Sequence, residues 1–121
     1  MGQPTTIECR TLFNTEHEAS LFQETLKKYV AVDNKQIDSC MEEGDYSLED
    51  YYKSDDTEIS FLIGSSREQN ADWQEGNFLK LAAQYGCVEF NSSKTIHVGG
   101  SFYSEEDLNE LREELTTNDP V

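Results

Sequence analysis

The chain has 121 residues, the usual size of one domain, and its 25 acidic and nine basic side chains give a net charge of −16. That sign excludes DNA or RNA as the expected ligand, because affinity for a polyanion comes mainly from Lys and Arg. Six Tyr, six Phe and one Trp, together with periodic apolar positions, predict one folded domain over 1–121 with frayed ends at 1–4 and 117–121.

The first two predicted elements are a strand and a helix. Residues 6–13 alternate, with Ile7 and Cys9 among those on the inward side, which is typical of a half-buried strand. Thr15 to Glu18 then matches a capping box, in which the two side chains satisfy free backbone N–H groups. Apolar residues at helical spacing follow, so a helix is predicted from about 16 to 32.

The middle of the chain predicts two strands and a second helix. A short extended segment is expected at 36–41, followed by strands 46–53 and 57–64 joined through 54–56. Ser65 to Glu68 offers another capping box for a helix that ends near Gly86. Gly76 weakens the N-terminal half of that helix, which leaves a later start near Trp73 open.

The last third predicts a hairpin and a helix. Residues 88–90 and 95–98 are expected to pair across a turn at 91–94, and Gly99-Gly100 to break the strand. Ser104 to Asp107 begins a final helix with a narrow leucine stripe at Leu108, Leu111 and Leu115.

The resulting order, β-α-β-β-α-β-β-α, predicts an α+β domain. Helices separated by hairpins favour a mixed or antiparallel sheet with the helices on one face. The specific topology predicted is a ferredoxin-like split β-α-β core with an added C-terminal helix.

The acidic excess is concentrated in two segments. Residues 105–119 hold seven acids and one base, as expected for the solvated face of a leucine-striped helix. Residues 38–58 hold nine acids and one base, and tyrosines are interleaved among them. Tyrosine is enriched at interface hot spots, so this second segment is the predicted partner-binding site. Its predicted contact residues are Glu42, Glu43, Asp45, Tyr46, Glu49, Asp50, Tyr51, Tyr52, Asp55 and Asp56.

Catalytic, metal and cofactor sites have little support in the sequence. Cys9, Cys40 and Cys87 lack C-x-x-C spacing, which favours buried free thiols over a disulfide framework or a zinc site. A Cys87–His97 pair across the predicted hairpin is the one nucleophile arrangement to weigh. No calcium-loop or phosphate-loop motif is present, so no metal and no cofactor is predicted. The absence of a secretory signal and of a long apolar run predicts a cytoplasmic protein.

The predicted function is inhibition by protein binding rather than enzymatic activity. An acidic surface is complementary to a basic, nucleic-acid-handling surface, such as that of a nuclease, and it can occlude that surface. In size and charge, though in no shared motif, the chain is similar to immunity proteins, antitoxins and phage-encoded anti-defence inhibitors of the anti-CRISPR kind. Nucleic-acid mimicry by its carboxylate rows is part of the predicted function. The alternatives are a regulatory or scaffold domain whose acidity serves only solubility and, less favoured, a small Cys/His hydrolase.

Overall fold

The computed structural model of the chain describes residues 5–31, 47–65, 68–94 and 100–117. Eight elements follow one another along these residues. They are β1 (Thr5–Phe13), α1 (Glu16–Ala31), β2 (Ser47–Asp55), β3 (Glu58–Ser65), α2 (Glu68–Gln84), β4 (Cys87–Lys94), β5 (Gly100–Tyr103) and α3 (Glu105–Thr117).

The strands form one antiparallel sheet in the order β2-β3-β1-β4-β5. Strands β1 and β2 run in the same direction with β3 between them, and β3 and β4 enclose β1 in the same way. This is the split β-α-β arrangement, with β5 added as an outer strand beside β4. The predicted α+β class, the order of elements and the antiparallel sheet are therefore confirmed.

The hydrophobic core lies on one face of this sheet. Every second residue of β1 is buried there, including Ile7 and Cys9, which have no exposed surface. All three helices contribute to the same cluster, for example through Phe22, Phe78 and Leu108. Burying one such side chain contributes about 1.5–3 kcal/mol. No described helix packs on the opposite side of the sheet.

Two of the predicted helix starts are confirmed by their caps. The Glu18 amide donates to Thr15 Oγ1 at 3.1 Å, and the Thr15 hydroxyl donates to the Glu18 carboxylate at 3.1 Å. At α3 the Asp107 amide donates to Ser104 Oγ at 3.3 Å, and the Ser104 amide donates to the Asp107 carboxylate at 3.0 Å. The Ser104–Asp107 pair satisfies two backbone N–H groups and the Thr15–Glu18 pair satisfies one, all near a helix N-terminus where such groups lack helical partners.

The third predicted cap, Ser65 to Glu68, includes residues 66–67, which lie outside the described residues, so it stays a prediction. Helix α2 is described from Glu68, and Ser65 is paired with Thr5 in the sheet. The alternative start near Trp73 was wrong. Gly76 lies inside the helix, where the tertiary contacts of the apolar face outweigh its low helix propensity.

The predicted turn at 91–94 was wrong as well. Strand β4 runs through those polar residues to Lys94, because each of them pairs with β1. Gly100, which was expected to break a strand, begins β5 instead. The turn between β2 and β3 lies at Asp56 and Thr57 rather than at 54–56. The segments predicted at 36–41 and 95–98 lie outside the described residues.

Arg112 fastens α3 to the rest of the domain. Its Nη1 donates to the carbonyl oxygens of Ala83 at 2.7 Å and Cys87 at 3.1 Å. The Ala83 carbonyl lies in the last turn of α2, where it also accepts the Gly86 amide at 3.1 Å, and the Cys87 carbonyl belongs to the first residue of β4. The guanidinium therefore links α3 to the junction between α2 and β4. The positive charge also lies at the negative end of the α2 dipole.

We expect Arg112→Met to lower the free energy of unfolding by about 2 kcal/mol, because it leaves partly buried carbonyls without their charged donor. Arg10→Met is the matched control. The Arg10 side chain is 59% exposed and pairs only at the surface, so the loss there should stay below about 1 kcal/mol. Urea unfolding of both variants measures the difference, and equal losses would contradict the role given to Arg112.

Replacement of two glycines by alanine should change the stability of the protein in opposite directions. Gly86 has a φ of 93°, and a Cβ there would collide with the Glu18 carboxylate, so Gly86→Ala should destabilise the protein by about 1–2 kcal/mol. Gly76 is helical with open space around it, so Gly76→Ala should stabilise it by about 0.5–1 kcal/mol. Thermal unfolding of the two variants checks the signs; a shift in the same direction would refute this account.

Candidate functional site

The side of the sheet opposite the core forms a continuous polar surface, which we call the open face. Side chains alternate along β1, so the neighbours of its buried residues lie on the opposite side of the sheet. The residues that pair with them on the adjacent strands lie on that same side. The open face consists of Glu8, Arg10, Leu12, Asp50, Tyr52, Glu58, Ser60, Leu62, Glu89, Asn91 and Phe102.

One row of the open face crosses all five strands. Tyr52 pairs with Ser60, Ser60 with Arg10, Arg10 with Asn91, and Asn91 with Phe102. The two aromatic residues at the ends of this row lie on the outer strands and are 52% and 59% exposed. Four strand spacings separate their backbones by about 19 Å. Two exposed aromatic side chains thus lie at opposite ends of a row whose central residues are polar.

A β-bulge in β2 decides which of its side chains reach the open face. Glu49 pairs with Leu62 and Tyr52 with Ser60, so Asp50 and Tyr51 together oppose a single residue of β3. Asp50 has a φ of 49°, a left-handed conformation that Asp tolerates better than most residues at a cost of about 1 kcal/mol. The extra residue shifts the alternation by one, which places Tyr52 on the open face.

The same shift turns Lys53 away from the open face. Lys53 pairs in register with the core residue Ile59, and its Nζ lies 3.1 Å from Glu16 on α1. Lys53 is the only base in the acidic segment 38–58. Among the described side chains, the open face therefore carries four acids, Glu8, Asp50, Glu58 and Glu89, against one base, Arg10.

Arg10 is itself held by an acid of the same surface. Its Nη2 lies 3.3 Å from Glu58 Oε1, which also accepts a 2.7 Å hydrogen bond from the Ser54 hydroxyl. The Ser60 hydroxyl donates to Ser54 Oγ at 3.0 Å and completes the chain of contacts. This network orders the centre of the open face and neutralises one of its four carboxylates.

The described residues line two hollows on the open face, and members of this network line both of them. The larger has a volume of about 320 Å³ and lies toward β2; its lining residues are Glu8, Asp50, Tyr52, Ser60, Phe61 and Leu62. The smaller has a volume of about 170 Å³ and lies toward β4; its lining residues are Arg10, Thr11, Leu12, Glu58, Glu89 and Asn91. Each contains carboxylates from more than one strand.

The predicted partner-binding residues do not all lie on one surface of the structure. Asp50 and Tyr52 lie together on the open face, and Asp55 and Asp56 are exposed at the β2–β3 turn. Tyr51 is partly buried against the core. Glu49 is described only in its backbone, within β2. Glu42, Glu43, Asp45 and Tyr46 lie outside the described residues.

Several residues of the open face were not predicted from the sequence. The outward position of Glu8 follows from the alternation of β1 and could have been assigned. Glu89 and Phe102 could not, because only the pairing of β4 and β5 brings them beside β1. The acids of α3 behave as expected for a solvated helix face. Leu108 is buried, whereas all six acids of the helix are exposed: Glu105, Glu106, Asp107, Glu110, Glu113 and Glu114.

The cysteines that the structure describes are buried free thiols, as predicted for Cys9 and Cys87. Burial raises the pKa of Cys87 to about 11 and also raises that of Cys9. A nucleophilic cysteine needs the opposite shift, because the thiolate is the reactive form. His17 is exposed on α1, and His97 and Cys40 lie outside the described residues.

Among the described residues, no group of three or more His, Cys, Asp or Glu side chains is placed to hold a metal ion. None of the described helices is long and apolar enough to cross a membrane.

Comparison with protein-family models, with curated proteins and with solved structures found no match for this chain.

The raised thiol pKa values predict slow chemical modification of the folded protein. In a Cys40→Ser variant at pH 8, the Cys87 thiolate fraction is about 0.1%, so Ellman's reagent should react with Cys9 and Cys87 only as fast as the protein opens. In denaturant both thiols should react within minutes. Rapid reaction of one thiol in the folded protein would contradict this assignment and support the hydrolase alternative.

Proposed function

We propose that this protein is an acidic inhibitor that binds a basic, nucleic-acid-handling partner protein, such as a nuclease, and occludes the surface on which that partner holds DNA or RNA. Immunity proteins, antitoxins and phage-encoded anti-defence proteins are the functional classes to which such an inhibitor would belong. The proposal includes a cytoplasmic location, where buried free thiols such as Cys9 and Cys87 remain reduced.

One observation carries the proposal, namely the composition of the open face. Four carboxylates and one arginine are displayed on a sheet face that no described helix covers, between two exposed aromatic side chains. Aromatic anchors among charges are typical of interface hot spots, and a wholly solvated acidic surface has no need of them.

The placement of the bases supports the same function. Lys53 and Lys94 pair with acids of helices α1 and α2, and Arg112 is held by backbone carbonyls. These bases are thus engaged on the helix side of the sheet, although the described helices themselves carry twelve acids against four bases. Asp55 and Asp56 extend the acidic surface beyond the open face. An acidic surface steers association with an oppositely charged surface and speeds it.

A regulatory or scaffold domain is the second candidate, and it depends on the same aromatic residues. If Tyr52 and Phe102 select the partner by apolar contact alone, charge contributes only solubility. The two candidates differ in their response to salt, because exposed charge pairs are screened over about 10 Å at 0.1 M ionic strength.

We expect the protein, when immobilised, to capture its partner at about 50 mM NaCl and to release it at about 500 mM, since electrostatic association weakens as the Debye length shrinks. Added at equimolar amounts, it should inhibit the purified partner's turnover of nucleic acid. Retention of the partner through the salt step would overturn the electrostatic mechanism and favour the scaffold candidate.

Charge-matched variants locate the interface. Replacing Glu49, Asp50, Asp55 and Asp56 by their amides should weaken partner binding at least about tenfold. The control replaces Glu106, Glu110, Glu113 and Glu114 of α3 by glutamine, which removes the same charge from the helix side and should cost less than about threefold. Equal losses in calorimetric titrations would mean that net charge, rather than this surface, selects the partner.

A further inference from the structure

We propose that the larger hollow of the open face receives an arginine side chain of the basic partner. This inference rests on the proposed function and adds to it the chemical identity and position of one contact. The hollow would act as the anchoring point of the interface, while the remaining acids steer the partner toward it.

The hollow has the right size and walls for such a side chain. Its volume of about 320 Å³ is roughly that of ten liquid waters, which leaves room for an arginine side chain and part of its backbone. Leu62 and the ring of Tyr52 supply apolar surface for the methylene groups. Ser60, at its base, is almost fully buried.

Two carboxylates reach the hollow from different strands. Glu8 arrives through the alternation of β1, and Asp50 through the β2 bulge, whose left-handed residue the fold retains at some cost. Among the described residues, neither carboxylate has a lysine or arginine within 4 Å, since Arg10 is engaged with Glu58 in the neighbouring hollow. A cation from outside would be attracted by both carboxylates.

Arginine suits these groups better than lysine. Its guanidinium is planar and carries five N–H donors in a fixed fork, so it can bond two carboxylates while it stacks on an aromatic ring. The Tyr52 ring is 52% exposed at the rim of the hollow and offers such a stacking surface. A lysine ammonium would satisfy the charge and leave the stacking surface unused.

The test uses the full chain and two capped peptides, hexa-arginine and hexa-lysine, in calorimetric and NMR titrations at about 50 and 300 mM NaCl. Hexa-arginine should bind at least about threefold more tightly than hexa-lysine, and it should shift the amide signals of Glu8, Asp50 and Tyr52. Equal affinity of the two peptides would overturn the assignment to arginine.

Variants separate the hollow from general acidity. Combined Glu8→Gln and Asp50→Asn should weaken hexa-arginine binding about tenfold, and Tyr52→Leu should reduce the preference over hexa-lysine. The matched pair Glu110→Gln and Glu114→Gln should change affinity less than about twofold. Asparagine at 50 tolerates the left-handed backbone, and thermal unfolding verifies that every variant is folded.

The outcomes distinguish the two proposals. Equal weakening by the two pairs, with salt-dependent binding retained, would overturn the arginine hollow and leave the electrostatic inhibitor in place. Absence of binding to either peptide at low salt would overturn both.

Discussion

Burial of one face of the central strand is the constraint on which the rest of this structure depends. Strand β1 is paired on both sides, and its inward residues lie beneath all three helices. Because side chains alternate strictly along a strand, committing Ile7 and Cys9 to the core commits Glu8 and Arg10 to the other side. The core thereby defines the open face, even though no residue of that face stabilises the core.

The bulge at Asp50 and Tyr51 is the departure from this strict alternation that has the largest effect on the open face; the register also shifts between Lys53 and Asp55 of β2 and between Leu12 and Phe13 of β1. A regular β2 that buried Leu48 would turn Tyr52 inward and Lys53 outward. With the bulge, the aromatic side chain is displayed and the base is withdrawn toward α1. A single backbone irregularity thus changes both the shape and the charge of the open face.

Much of the fold followed from local sequence signals, and the failures were non-local. The alternation of β1 and the Thr15 and Ser104 caps involve neighbours in sequence and were predicted correctly. The polar end of β4 has no apolar pattern of its own. Pairing with β1 makes it a strand, and partners more than 80 residues away in sequence cannot be identified from propensity.

The candidate site was predictable to a lesser extent for the same reason. The acidic, tyrosine-rich character of 38–58 located Asp50 and Tyr52, and Glu8 was implicit in the pattern of β1. The residue type at position 50 does not indicate a bulge, whereas a glycine there would have predicted one. The contributions of Glu89 and Phe102 depend on a sheet order that composition does not contain.

The one-sided packing of the helices has a consequence for how such a protein can change over generations. Substitutions on the open face alter no core contact, and effects at separated, non-contacting positions combine almost additively. Selection on partner choice could therefore proceed on one side of the sheet while selection on folding acts on the other. If the target protein varied over generations, the recognition surface could change with it without a prior gain in folding stability.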